Sequence, residues 1–315
     1  MHHTYDYVCA GLTILDILGR HIDRIPEGGG TEIIDQIRIT AAGTAAGPAV
    51  IGARYGMKTA LVVAIGTDDM GMMLETMLKK NNVDTALLQR RGDMPTSATM
   101  LAVTPAGQRP NFHAIGASIM LEIDDARREA IINSRFVHWG GVGTMLMLDG
   151  GPGAELLKEA RAKGATITCD FIKPGPGILD ALKLVMPHVN YFMPSLEEAM
   201  EVAGTSGPDD TARFFMDLGA GACVIKAGAQ GSYFMSRDKK VRVPALTVNV
   251  VDTTGCGDAY CAGFAAGLAR GWDEEKACRF ASATAALVAT GLGSDAGVID
   301  FKTTETAMET LPPLT

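Results

Sequence analysis

No run of lysine and arginine occurs anywhere in the 315 residues, and the formal net charge is -8. Nucleic-acid backbones and anionic membrane surfaces are held by such basic clusters, so neither partner is expected. No C-x-x-C pair is present. The six cysteines (Cys9, Cys169, Cys223, Cys256, Cys261 and Cys278) are scattered, most of them inside apolar stretches where cysteine packs as a small hydrophobe. Reduced thiols in a cytoplasmic protein are the expectation. The first residues lack a basic n-region, and the apolar stretch after them is broken by Asp16 before it reaches the length of a signal or a bilayer span. Tandem repeats and low-complexity tracts are absent. So is a G-x-G-x-x-G after the first apolar run, and no acid stands in the ribose position, which argues against a dinucleotide-dependent dehydrogenase.

With 47% hydrophobic and 20% charged residues, the chain can bury a large core, and one α/β domain over 1–315 is expected. Short apolar runs ending in Gly, Asp or Pro alternate with longer helical segments. The candidate strands are Tyr5–Ala10, Ala60–Gly66, Phe136–Gly140, Thr166–Asp170, Tyr191–Pro194 and Ala222–Gly228. That alternation predicts a mostly parallel sheet with helices on both faces. Ligands of such sheets collect beyond the carboxyl ends of the strands, which directs attention to Asp170, Ser195, Lys226 and Asp252. Two regions, roughly 14–40 and 96–117, carry strand-like alternation between Gly/Pro-rich turns with no helix following. They predict a small separate sheet forming a lid. A small sheet buries little by itself, so its outer face is expected to pair with a second copy of the chain in a homodimer.

Leu246–Val251 reads as a strand running into Asp252-Thr253-Thr254-Gly255-Cys256-Gly257-Asp258, followed by the small-residue helix Ala259–Gly267. Two glycines before a helix let successive amides point one way, where the helix dipole also favours negative charge; such a nest can hold a migrating phosphoryl group. Asp258 then has two readings. It is a favourable acid in a first helical turn, worth roughly 0.3–1 kcal/mol, or it is the base that takes a proton from an incoming hydroxyl.

The heptad resembles the Asp-Thr-x-Gly-Ala-Gly-Asp signature of ribokinase-like (PfkB) carbohydrate kinases, with Cys256 in place of the usual Ala. The resemblance implies a ribokinase-like three-layer α/β sandwich with a β-sheet lid. It further implies ATP and Mg2+ as cofactors, a small sugar or sugar-like acceptor, Asp258 as base, and Gly255, Cys256 and Gly257 as an anion hole. Cys256 would serve through its backbone N–H, its thiol either filling space or conferring sensitivity to oxidation.

The likeness extends over nearly the whole chain. Ala42-Gly43-Thr44-Ala45-Ala46-Gly47 corresponds to the family's Gly-Gly-x-x-x-Asn, so Gly43 and Gly47 fall in the acceptor site, and Gly47 replaces the amide that binds substrate hydroxyls. Asp16 matches an acid that chelates two sugar hydroxyls. Asp170 retains the first residue of an Asp-x-Asn-x-Arg element, with Lys173 near the place of the missing Arg. Pro194-Ser195-Leu196-Glu197-Glu198 matches Asn-x-x-Glu: Ser195 and Glu198 are a capping box, and Glu198 also stands near the magnesium–phosphate cluster, acting through water. Lys226, Gly228 and Gly231 match the segment along the ATP phosphates, although a solvated strand-end lysine explains Lys226 equally well. Asp252, Thr253 and Ser282 complete the nucleotide set, Ser282 lying on a small-residue helix that could admit a flat base. The lid segment Arg109–His113 is placed to close over substrate. A nucleoside acceptor, or a relative that binds ligand without catalysis, are the alternatives.

Overall fold

The computed structural model describes residues 3–105, 107–172 and 175–314. The chain enters through β1 (Tyr7–Ala10), crosses into β2 (Ile14–Arg20) and β3 (Gln36–Ala42), and returns by α1 (Ala46–Arg54) to β4 (Thr59–Val62). A short parallel pair, β5 (Ala64–Gly66) and β6 (Gln89–Arg91), is bridged by α2 (Asp69–Lys80). Next come β7 (Ala98–Val103) and β8 (Asn111–Ala114). Regular alternation follows: α3 (Asp125–Ile132), β9 (Phe136–Val142), α4 (Pro152–Ala162), β10 (Thr166–Phe171), α5 (Ile178–Val185), β11 (Tyr191–Phe192), α6 (Leu196–Ala203), α7 (Pro208–Asp217) and β12 (Ala222–Lys226). The chain ends through β13 (Ser232–Met235), β14 (Lys240–Val243), α8 (Cys256–Ala269), α9 (Glu274–Ala289) and α10 (Phe301–Thr310).

The large sheet has eight strands in the order β14-β13-β12-β11-β10-β9-β1-β4, parallel from β4 to β12 and antiparallel at the β13–β14 edge. Strands β1, β4 and β9 are buried along their whole length, as a sheet covered on both faces requires. Alternate residues feed two cores. Val8, Ala10, Val137 and Trp139 pack against α4 and α5, whereas Tyr7, Cys9 and Leu61 pack against α1, α8 and α9. Four helices start on an aspartate whose carboxylate accepts an early backbone N–H: Asp68 for α2, Asp124 for α3, Asp273 for α9 and Asp300 for α10. Such a cap stabilises a helix by about 1 kcal/mol, and it explains why these boundaries fall at these residues.

The second sheet has four strands in the order β3-β2-β7-β8. Register places Thr40, Asp16, Thr99 and His113 side by side on one face, and Ile39, Ile17, Met100 and Phe112 on the other. The fold class read from the sequence holds: a mostly parallel sheet between helical layers, with a smaller sheet beside it. One predicted strand does not form. Leu246–Val251 is irregular apart from a single bridge between Leu246 and Pro313, because its backbone bonds go singly to separate partners: Thr247 donates to Pro312 and Val251 to Ala289.

Candidate active site

Chain order reverses direction across the sheet between β1 and β9, since β4 lies to one side of β1 and β9 to the other. Parallel sheets bind ligands at this point because the loops leaving the two strands part there. Here the strand ends are built from glycines in close contact. A Cβ on Gly11 would lie 1.9 Å from the carbonyl oxygen of Gly140, and Gly43, at φ +102°, would place one 2.7 Å from the carbonyl oxygen of Leu12. The polar face of the small sheet lies at the same end. Asp16 is buried there with Thr99 as its hydrogen-bond partner, and Thr99 shares a 3.0 Å bond with His113.

The 252–258 turn lies across this crevice. Gly255 is the N-cap of α8 in the left-handed region at φ +74°, and a side chain on it would run into Ser294. Asp252 is buried and braces the turn: one carboxylate oxygen accepts from Thr254 N and Oγ1 at 2.9 and 2.8 Å, and the other from Gly293 N at 2.9 Å. The loop carrying Gly293 and Ser294 is tied in turn to the small sheet. Arg38 of β3 donates to Leu292 O and, at 2.7 Å, to Asp295, while Ser294 donates to Ala41 O at 3.1 Å. From the β7–β8 connection Arg109 reaches the turn itself, with Nη1 3.1 Å from Thr254 Oγ1. These braces were not legible in the sequence, since Arg38 and Asp295 are ordinary charged residues until folding brings them together.

Asp258 occupies the first turn of α8, half-buried. Gly47, in the first turn of α1, packs directly on it: a Cβ there would lie 3.0 Å from Asp258 Cβ and 3.3 Å from Oδ2. The missing side chain at position 47 therefore leaves no empty pocket; Asp258 occupies that space. Of the three amides expected to point together, that of Cys256 makes a 3.3 Å bond to Thr253 O, near the limit for such a bond.

Beyond the turn lies a cavity of about 250 Å³, lined by Lys226, Gly228, Gly231, Thr253, Cys256, Gly257 and Ser282 among others. Leu246, Val248 and Val250 supply a wall, so the alternation read as a strand does alternate, toward a cavity in place of a neighbouring strand. Ser282 donates to Pro244 O at 3.0 Å. Asp252 lies beneath the cavity and does not line it.

Two sequence readings change. Ser195 is the N-cap of α6, as expected, yet its hydroxyl donates to the Glu198 carboxylate and accepts from no helix amide, so no reciprocal box forms. Lys226 is not a solvated lysine. Its ammonium meets Asp170 at 2.5 Å, and the two side chains are only 12% and 6% exposed. Asp170 spends its other oxygen on Phe171 N at 2.9 Å. Lys173 lies outside the described residues.

Burial governs the titration of this region. It pushes the Asp258 carboxyl up to about 7, Lys226 opposing while Asp170 and Glu198 add to the rise. Asp16 is also raised to about 7, by burial first, against its bond to Thr99, with Asp258 and Asp252 adding negative charge. For the Asp170–Lys226 pair, burial disfavours both charges and the contact opposes it: on Asp170 burial outweighs the contact and the carboxyl stays raised, while Lys226 is held well above its ordinary range. The Cys256 thiol is pushed up to about 12 by burial and donates weakly to Ala285 O at 3.4 Å. Thiolate is the reactive form and burial disfavours it at Cys256, so Cys256→Ala should retain activity within about twofold and be no less sensitive to peroxide than wild type. Inactivation that vanishes in the alanine variant would contradict this.

Among the described residues no three His, Cys, Asp or Glu side chains gather into a metal cage. What is present, a single carboxylate at Glu198 facing Asp170 and Asp258, fits a magnesium ion that keeps its waters and draws most of its ligands from nucleotide phosphates. No helix among the described residues is long and apolar enough to cross a membrane.

Comparison with known proteins agrees with this architecture. A nucleoside kinase of Methanothermobacter thermautotrophicus is 24% identical over 95% of this chain and 94% of its own length. A 5-dehydro-2-deoxygluconokinase of Clostridium perfringens is 26% identical over 78% of this chain and 77% of its own. The structure of Arabidopsis thaliana ribokinase complexed with ribose and ATP superposes with a TM-score of 0.80 at 23% identity, covering 97% of this chain and 99% of that one. The model of the pfkB family of carbohydrate kinases matches residues 6–300, nearly the whole chain with its glycine-built crevice and its 252–258 turn, and the protein is a member of that family.

Proposed function

We propose that the protein transfers the γ-phosphoryl group of ATP to a hydroxyl of a small sugar or sugar-like acceptor, with Asp258 as general base. The observation that carries this reading is the position of Asp258. It directly follows Cys256 and Gly257, which line the cavity, packs on Gly47, and is close enough to Asp16 of the small sheet for the two charges to act on each other. A group there can take a proton from an acceptor on one side while a nucleotide phosphate approaches from the other. The acceptor O–H gives its proton to the carboxylate, the acceptor oxygen forms the new O–P bond, and the bond to the bridging oxygen breaks to release ADP. In this reading the N-terminus of α8, with the Gly255 and Gly257 amides, stabilises charge that spreads over the moving phosphoryl oxygens, while the Cys256 amide is held by Thr253 O. Magnesium, when bound beside Glu198, would neutralise charge on the nucleotide phosphates.

Lys226, Gly228, Gly231, Thr253 and Ser282 are assigned to the nucleotide side, with Asp252 shaping the turn from below. Asp16, Gly43 and Gly47 are assigned to the acceptor side. ADP formation from ATP, screened across ketoses, aldoses, sugar acids and nucleosides beside Asp258→Asn, tests the reading. Turnover dependent on both acceptor and Asp258 is expected with a sugar. A response to nucleosides alone moves the acceptor class, and no Asp258-dependent response to any acceptor overturns catalysis in favour of ligand binding.

We assign the homodimer contact to the outward face of the small sheet, where Met100 and Phe112, cross-strand neighbours, are 56% and 59% exposed beside Ile37 at 67%. Exposed apolar rows of this kind on a short sheet call for a cover. Sedimentation should show a dimer that Phe112→Glu dissociates; a wild-type monomer at micromolar concentration would sink this assignment.

A further inference from the structure

Thr99 stands at the centre of the polar row on the small sheet, between Asp16 of β2 and His113 of β8. Its hydroxyl carries one hydrogen and has a partner on each side, so the row has a direction. At about pH 8.5 Asp16 is ionised, since burial raises its carboxyl only to about 7, and an ionised carboxylate can only accept. Thr99 therefore donates to Asp16 and accepts, over 3.0 Å, from the Nδ1–H of His113. A neutral imidazole has one N–H, so protonation at Nδ1 leaves Nε2 as a lone-pair acceptor. His113 is exposed, and its Nε2 bonds no described residue.

The surroundings define what this nitrogen can meet. Neighbouring strands are about 4.8 Å apart, so Asp16 and His113 lie roughly 10 Å from each other across Thr99, a span that a monosaccharide lying on Thr99 can bridge with its hydroxyls. Two residues further along the strands the same face turns apolar, with Leu18 and Leu101 buried against Val103 and Leu292. At the other end of the row Thr40 is 3.4 Å from the Ser294 hydroxyl. The two arginines that approach this end of the molecule from the small sheet are engaged elsewhere, Arg38 on Leu292 O and Asp295, Arg109 on Thr254. The row thus offers a ligand a carboxylate and an imidazole lone pair, both of them acceptors.

We propose that His113 is a specificity-determining residue of the acceptor site: its Nε2 accepts a hydrogen bond from an acceptor hydroxyl, and the row selects a neutral polyhydroxy compound over a sugar acid. Hydroxyl groups satisfy both ends of the row, whereas a carboxylate placed there finds two acceptors and the charge of Asp16. The role in phosphoryl transfer rests on the proposed function; the direction of the hydrogen bonds and the binding of a sugar need no turnover.

Nitrogen NMR of the full-length protein, isotope-labelled at histidine and held at about pH 8.5, reads both parts, with the His113 signals assigned by their loss in His113→Asn. Wild type should show Nδ1 protonated and Nε2 bare. Thr99→Val, which removes the hydroxyl between the partners, should let the proton populate both nitrogens. Titration with D-ribose, D-fructose and adenosine should shift the Nε2 signal with at least one of them, and D-gluconate should leave it in place. A wild-type imidazole protonated on Nε2, a signal unmoved by every neutral compound, or one moved as far by D-gluconate as by any of them overturns the proposal.

Kinetics separates contact from bracing. Asparagine keeps a donor at the place of Nδ1 and has nothing at that of Nε2. With whichever of these compounds supports turnover, His113→Asn and His113→Ala should each raise the acceptor KM about tenfold and leave kcat within about threefold, the pattern of a lost binding contact. Wild-type behaviour of His113→Asn beside an impaired His113→Ala would mean that His113 only braces Thr99, and would overturn the proposal. Absence of Asp258-dependent turnover with every compound, beside a shifted His113 signal, would instead overturn the transfer reaction and leave this assignment standing.

Discussion

Asp258→Asn will lower turnover by roughly 10³-fold, the usual scale for loss of a general base, with nucleotide affinity within about twofold of wild type. Asparagine keeps the shape and fills the same space against Gly47, so the loss reports proton acceptance and not packing. A general base works as the carboxylate, and burial raises the Asp258 pKa to about 7. Wild-type activity should accordingly rise with pH through 7 and fade below it. Stability should move the other way. An acid raised above its unfolded value of 3.8 leaves the folded state unaffected where both forms are protonated, and weakens it progressively as pH climbs through the folded pKa. Asp258→Asn should thus melt higher than wild type at pH 8, with the difference vanishing only well below pH 3.8. A variant both less active and less stable at pH 8 would mean that Asp258 is a structural helix-start acid and nothing more.

Gly255→Ala should be nearly as damaging, with activity lost by roughly 10²-fold, as when one donor of an oxyanion-binding turn is displaced. Two causes combine at this residue. Its φ of +74° is a conformation that side chains rarely adopt, and a Cβ would sit 2.4 Å from Ser294 Cβ and 2.6 Å from Ser294 Cα, where backbone cannot yield easily. Gly271 provides the control: its φ is +78°, with nothing within 4 Å of an added Cβ. Gly271→Ala isolates the backbone cost, about 1 kcal/mol measured by denaturant unfolding, and should leave activity intact. Equal activity losses in the two variants would detach the turn from the chemistry.

The heptad 252–258 was readable before folding because its chemistry is local. A left-handed glycine, a row of amides and an acid in the first helical turn are all contained in consecutive residues, and the alternation of short apolar runs with helical segments announced the parallel sheet in the same way. The segment before the heptad misled for a physical reason. Val248 and Val250 alternate as a strand would, but periodicity records only that one side is apolar, and here that side faces a cavity. Ser195-x-x-Glu198 misled similarly, since the spacing permits a box in which both side chains accept backbone N–H groups, while in the fold the two side chains bond to each other.

Lys226 and Asp170 mark the limit of sequence reading most clearly. Each was noticed alone, as a cation for a nucleotide and an acid for a substrate, and nothing over 56 positions of separation indicates that they bind one another. The amino-acid sequence by itself determined the family and the sheet and marked out the 252–258 turn, because those rest on contiguous residues and regular spacing. Only the tertiary structure decided that Asp258 fills the space beside Gly47, that Asp170 is committed to Lys226, and that Arg38 and Arg109 of the small sheet brace the turn, because charges and close contacts acquire their partners through the path of the chain.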